Sequence, residues 1–238
     1  MIKKTLNQNA KYAQELLKTA EADFVFSDKP INRLKVIQNN NISKKKNKSE
    51  LLLNLRDQIN SIQNCNLKEN SKNLIMGDGD SNSPIMLIGE APGKIEDESG
   101  STFQGEIGSL LNKMLLAINI KREEVYITNV VNWRPPNNRT PTDEEILEFL
   151  PYLQQQIDIV EPKYIFLLGG VAAKAILSTP LALGKLRGKW HEYKSLKLNK
   201  KIYTIASYHP AFLLRSPQFK KASWEDLKML QKRMNDEK

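Results

Sequence analysis

With one cysteine in 238 residues, the chain cannot be held by internal disulfides, and it cannot assemble a four-thiolate metal or cluster site of its own. Histidine is almost as scarce, at two residues, and no His/Asp cluster has metal-ligand spacing. Neither a Ser-His-Asp nor a Cys-His arrangement suited to acyl transfer is evident. No apolar run reaches the roughly 18 residues that a membrane span requires. The opening MIKKTLNQNAKYAQELL lacks the apolar core of a signal peptide. These absences predict a cytoplasmic protein that shares a compartment with the genome and has no membrane contact.

Hydrophobic residues make up 40% and charged residues 26%, ordinary values for a globular protein with a sizeable core. The net charge of +9 is unevenly spread. Residues 1–50 hold 11 Lys and Arg against 5 Asp and Glu, whereas the remainder holds 25 against 22. A basic leading segment adds sequence-independent attraction to a polyanion; a Lys- and Asn-rich gene composition accounts for it equally well. Residues 1–49 therefore read as a basic extension and linker, with weak helical character at Lys11 to Leu17 and the run Lys44-Lys45-Lys46-Asn47-Lys48. Residues 50–238 read as one α/β domain, opening with the helical period of LLLNLRDQINSI.

Within that domain strands and helices alternate. Short apolar runs at Ile85–Ile88, Val125–Thr128, Tyr164–Leu168 and Ile202–Ala206 predict strands. Helices are predicted at Gly108–Ile118, Glu144–Val160, Val171–Leu177 and Trp224–Arg233, and Thr142 with Glu145 forms a capping box. The pattern implies a three-layer αβα fold around a central, mainly parallel, four-stranded sheet. Ligands of such sheets bind beyond the carboxyl ends of the strands. Those ends carry Gly89-Glu90-Ala91-Pro92-Gly93, Asn129, Gly169-Gly170 and Ser207-Tyr208-His209-Pro210.

Taken singly, each of these has a plain structural reading: a tight turn at Gly89–Gly93, a cap at Asn129, a constrained loop at His209, core at Phe103. The glycine turn matches neither a P-loop nor a dinucleotide fingerprint. Together they suit a flat polar heterocycle, which an aromatic ring stacks on, an amide reads at its edge, and a histidine reaches at a carbonyl oxygen.

Four blocks make this specific. IMLIGEAPGKIEDESGSTFQGEIGSLLNKML, YITNVVNWRPPNNRTPTDEEI, PKYIFLLGGVAAKAIL and YHPAFLLRSP resemble, in order and spacing, the conserved blocks of family 4 uracil-DNA glycosylases. The resemblance runs from about residue 50 to 238 and implies a monofunctional enzyme that flips uracil out of DNA and hydrolyses its glycosidic bond, leaving an abasic site. It implies a stacking role for Phe103, edge recognition by Asn129, donation to uracil O2 by His209, and backbone donation from the Glu90–Ala91 turn, with Gly89 and Ala91 against the base. Glu90 would orient water or stabilise the cationic sugar. Leu213, Leu214 and Arg215 would form a DNA wedge and phosphate clamp, with Lys185 and Arg187 near the backbone; a short amphipathic turn and a solvated hairpin are the structural alternatives. Arg139 is expected near the site, or held by a structural partner.

The expected partner is uracil-containing DNA, single- or double-stranded, met by a monomer whose extension is free to engage a repair protein. A catalytically weak binder of uracil or abasic sites, and a glycosylase for another deaminated base, remain open alternatives. Two departures from the family stand out. Its [4Fe–4S] cluster takes four cysteines, but here the places fall on Ile62, Cys65, Phe149 and, within about a residue, Phe166; no cofactor is therefore expected, and the apolar side chains should pack together instead. Thr102, Gln104, Glu106 and Ile107 also stand where the family usually has Pro, Val, a basic residue and Ala.

Overall fold

The computed structural model describes residues 47–237 other than 196 and 199. The expectations for Lys11–Leu17 and for most of the basic extension fall outside these residues. The first described helix, α1 (Lys48–Asn60), starts two residues before the predicted point because the Asn47 side chain caps it, accepting from the Ser49 N–H.

Four strands form the parallel centre: β2 (Ile85–Gly89), β3 (Tyr126–Asn129), β4 (Tyr164–Leu168) and β6 (Lys201–Ser207). Every residue of β2, β3 and β4 is buried, as a parallel sheet covered on both faces requires. Among the described residues the sheet has six strands rather than the expected four, in the order β1-β3-β2-β4-β6-β5. The additions are antiparallel edges, β1 (Asp78–Gly79) and β5 (Trp190–Lys194). One is two residues long and the other is mostly polar, so neither carries an apolar run.

The remaining helices are α2 (Asn66–Glu69), α3 (Lys94–Ser99), α4 (Gly105–Leu116), α5 (Asp143–Val160), α6 (Gly170–Leu177), α7 (Leu183–Leu186), α8 (Pro210–Arg215) and α9 (Lys220–Asp236). The Thr142 capping box of α5 forms as expected: its hydroxyl accepts from the Glu145 N–H at 3.3 Å, and the Glu145 carboxylate accepts from the Thr142 N–H at 2.8 Å.

Strand alternation sorts the core into two layers. Met86, Ile88, Ile165 and Leu167 face the layer built with α1, α5 and α6. Ile85, Leu87, Phe166 and Leu168 face the layer built with α4, α8 and α9. Ile62, Cys65 and Phe149 share the first layer, so that part of the expected apolar patch is present. Phe166 is not in it: a strand reverses sides at each residue, and Phe166 points through the opposite face, while its neighbours Ile165 and Leu167 belong to the layer that holds Phe149.

The strand order reverses direction between β2 and β4, which makes a crevice at their carboxyl ends. Register sets the rim level: Gly89 lies opposite Asn129, and Leu168 opposite Ser207.

Candidate active site

At that crevice lies a cavity of about 930 Å³ lined by Glu90, Ala91, Phe103, Asn129, Gly169 and His209, among others. The strand-end residues expected on the rim therefore meet at one site.

Gly89 is where two of them approach closest. A Cβ there would stand 2.6 Å from the Phe103 ring and overlap the Asn129 side-chain oxygen. The missing side chain is thus what lets the ring and the amide converge. Asn129 is 3% exposed, and its carboxamide has no hydrogen-bond partner among the described residues. Its polar atoms open onto the cavity rather than being sealed in the core, so a ligand there can complete them.

His209 sits at the start of α8, after Gly169 has turned with φ +101° to make room; a Cβ on Gly169 would press on the His209 Cβ at 3.2 Å. The His209 Nδ1 accepts the Ala211 N–H at 3.1 Å. A ring nitrogen that accepts carries no proton, so the neutral ring holds its hydrogen on Nε2. Burial, with help from the Arg215 charge, pushes the His209 pKa down to about 4, so the ring is neutral near pH 7. Its plane lies 28° from that of Phe103, with centroids 5.4 Å apart. That spacing leaves no room for a third ring between them.

Glu90 is half-buried and faces the same cavity. Burial raises its carboxyl above the usual range, opposed by the Thr140 side chain and the Arg215 guanidinium. The Glu90 and Ala91 N–H groups have no acceptor among the described residues, which leaves two donors at the turn. Thr140 had no assigned role in the sequence; its contact with Glu90 depends on how a long loop folds back. Glu96, in the first turn of α3, carries no role that the sequence marks. It holds the walls together, accepting from the Gly93 N–H at 3.1 Å and from the Gln104 N–H at 2.8 Å.

The expected DNA-facing residues divide. Leu214 is 38% exposed and lines the cavity mouth with Arg215. Leu213 is 1% exposed and belongs to the core beneath α8, so it is no wedge. Lys185 is exposed on α7, away from the cavity lining. Arg187 is already committed: its guanidinium donates to the Asp226 carboxylate at 2.8 and 3.1 Å and to the Ala222 carbonyl, and it lies over the Tyr208 ring. That role is structural, because Asp226 is fully buried and needs a counter-charge. Arg139 likewise has a structural partner, a two-pronged pairing with Glu145 at 2.6 and 2.7 Å.

One sulfur, on buried Cys65, shares its core layer with the apolar side chains of Ile62, Phe149, Ile165 and Leu167. Four thiolates are required and one is present, so the [4Fe–4S] cluster does not fit. Among the described residues no group of three or more His, Cys, Asp and Glu is placed to hold a metal ion.

A neutral histidine, an unpartnered carboxamide, an aromatic ring and a carboxylate line one cavity, a set suited to a flat polar heterocycle. Residues 76–228 match the family described as the uracil DNA glycosylase superfamily, and the chain belongs to that family. It is similar to the type-4 uracil-DNA glycosylase of Pyrobaculum aerophilum, at 40% identity over 75% of this chain and 92% of that one. The type-4 enzymes of Archaeoglobus fulgidus (38% identity, 73% of this chain and 88% of that one) and Sulfurisphaera tokodaii (39%, 74% and 81%) are similar to it as well.

Proposed function

We propose that the chain removes uracil from DNA by hydrolysing the bond between uracil N1 and the sugar C1′; the relatives it resembles are uracil-DNA glycosylases. Uracil, flipped from the strand, stacks on Phe103. The Asn129 amide reads the base edge; cytosine presents an amine donor where uracil presents an acceptor, and a mismatched buried donor is strongly rejected. As the bond breaks, negative charge spreads onto the departing base. The Nε2–H of neutral His209 donates to O2, aided by the free N–H groups of Glu90 and Ala91. One such preorganised donor contributes roughly 3 kcal/mol, about two orders of magnitude in rate. The sugar becomes cationic, and the Glu90 carboxylate stabilises it or orients the water that adds to C1′. Water supplies hydroxyl to the sugar and the proton that neutralises the base, so no covalent enzyme intermediate or cofactor is required. Apolar packing around Cys65 takes the place of a cluster.

On this reading Leu214 enters the strand and Arg215 meets phosphate, while Lys185 adds charge nearby. The substrate is DNA, single- or double-stranded, met by a monomer in the cytoplasm, and the basic extension is available to a repair partner. The observation that carries the reading is the tautomer of His209 at a cavity shared with the free Asn129 amide. Incubation with a uracil-containing oligonucleotide tests it: free uracil and an abasic site are expected. Tight binding to uracil or abasic DNA with no release, by folded protein in excess, would convert the reading to a binding protein; release of a different base would change the substrate.

A further inference from the structure

Phe103 has a backbone conformation that needs support. Its φ is +46°, in the left-handed region that a bulky residue rarely adopts. The ring is 5% exposed and forms a wall of the cavity, so whatever fixes this backbone fixes the stacking platform.

The support comes from two residues outside the cavity lining. Asp78, on edge strand β1, accepts the Thr102 N–H at 2.9 Å and the Thr102 hydroxyl at 2.7 Å through one carboxylate oxygen. Its other oxygen accepts from the Arg122 guanidinium at 3.0 Å. Arg122 in turn donates to the Thr102 carbonyl at 2.6 Å and reaches towards the Phe103 carbonyl at 3.4 Å. Behind that carbonyl stands Gly108 of α4, where any Cβ would overlap the oxygen. The peptide units on both sides of Thr102 are thus gripped by one ion pair, and the strained turn is closed from behind. A proline at 102 would fix its own φ but has no N–H to donate, so this grip is particular to a residue such as threonine.

We propose that Asp78 and Arg122 are positioning residues that act through Thr102 to hold Phe103 in its stacking geometry. The inference rests on the reading of Phe103 as the platform for a flipped base. Neither residue touches the base, and their effect passes through the backbone of residues 102–103.

Two measurements test this on the full chain. The first needs no substrate: in Asp78→Asn, amide exchange at Thr102 should rise at least about tenfold while the global unfolding temperature stays nearly constant. The isosteric amide turns an NH2 towards a donor and so breaks one side of the grip. The second is a double-mutant cycle on single-turnover uracil release. Asp78→Asn should lower the saturated rate about tenfold with little change in half-saturating DNA, since small displacements of a positioned group cost up to about 100-fold. In a Phe103→Ala background the same change should cost less than about twofold, because the platform it holds is gone. Arg122→Gln repeats the cycle should Asp78→Asn fold poorly. Unchanged exchange at Thr102, or a rate loss equal in both backgrounds, would overturn the proposal. Absence of release by the unsubstituted protein would strike the functional reading instead, leaving the exchange result to decide the grip.

Discussion

Gly89→Ala places a methyl group between the two recognition elements of the site. Carbon atoms in ordinary contact stand about 3.5–4.0 Å apart, whereas the new Cβ would meet the Phe103 Cζ at 2.6 Å and overlap the Asn129 side-chain oxygen. The Phe103 ring must therefore retreat by roughly 1 Å, or Asn129 must rotate away, because β2 is held by parallel partners on both sides and cannot yield. A misplacement of that size costs on the order of 100-fold in rate. Overpacking costs about 1–3 kcal/mol of stability, so the variant should melt lower yet stay folded at room temperature. The assay is single-turnover uracil release with enzyme in excess, beside a thermal melt. Gly184→Ala is the control, since nothing lies within 4 Å of a Cβ there. A Gly89→Ala rate within about threefold of the parent would refute the claim that this glycine lets ring and amide converge, the 100-fold loss being the yardstick.

The acid limb of activity should belong to Glu90 rather than His209. Burial raises the Glu90 carboxyl above its ordinary value, so it protonates first as pH falls, whereas His209 stays neutral until about pH 4. Arg215 lowers both, so Arg215→Gln should move the acid limb to higher pH in a rate profile, and an unmoved limb would argue against that coupling. The depressed His209 value also bears on stability: its contribution is intact above the ordinary histidine range and is lost as pH falls towards about 4, so Tm should decline over that window less steeply in His209→Gln. Arg187→Ala should cost about 3–5 kcal/mol, because it strands the buried Asp226 carboxylate. The salt dependence of DNA binding should be unchanged; a shallower slope would restore Arg187 as a phosphate contact.

Much of this arrangement was legible in the sequence, for identifiable reasons. The parallel strands are buried on both faces and so appear as unbroken apolar runs, and parallel topology puts the residue after each run on one rim. Glu90, Asn129 and His209 each stand at or just past the end of such a run. The edge strands escaped that reading because WHEYK alternates with polar residues and Asp78–Gly79 is too short to carry a pattern. Leu213 and Leu214 are neighbours of one type, and only the path of α8 decides that one is core and the other mouth. A position read to within about a residue of Phe166 leaves the layer open, because a strand changes face at each step, and Phe166 itself lies in the opposite one. The grip on Phe103 joins Asp78, Thr102 and Arg122 across 44 residues, a distance no local pattern spans.

Cys65 lies in an apolar core layer with Phe149, and the proposed uracil excision needs no cluster there. The most direct test is the rate of uracil release by Cys65→Ala protein produced under iron depletion and assayed with chelator. Release of free uracil at a rate within about twofold of the untreated parent is predicted, since the loss of one buried thiol is a small packing change. Release that fails without iron and returns on its addition to the parent chain would contradict the account.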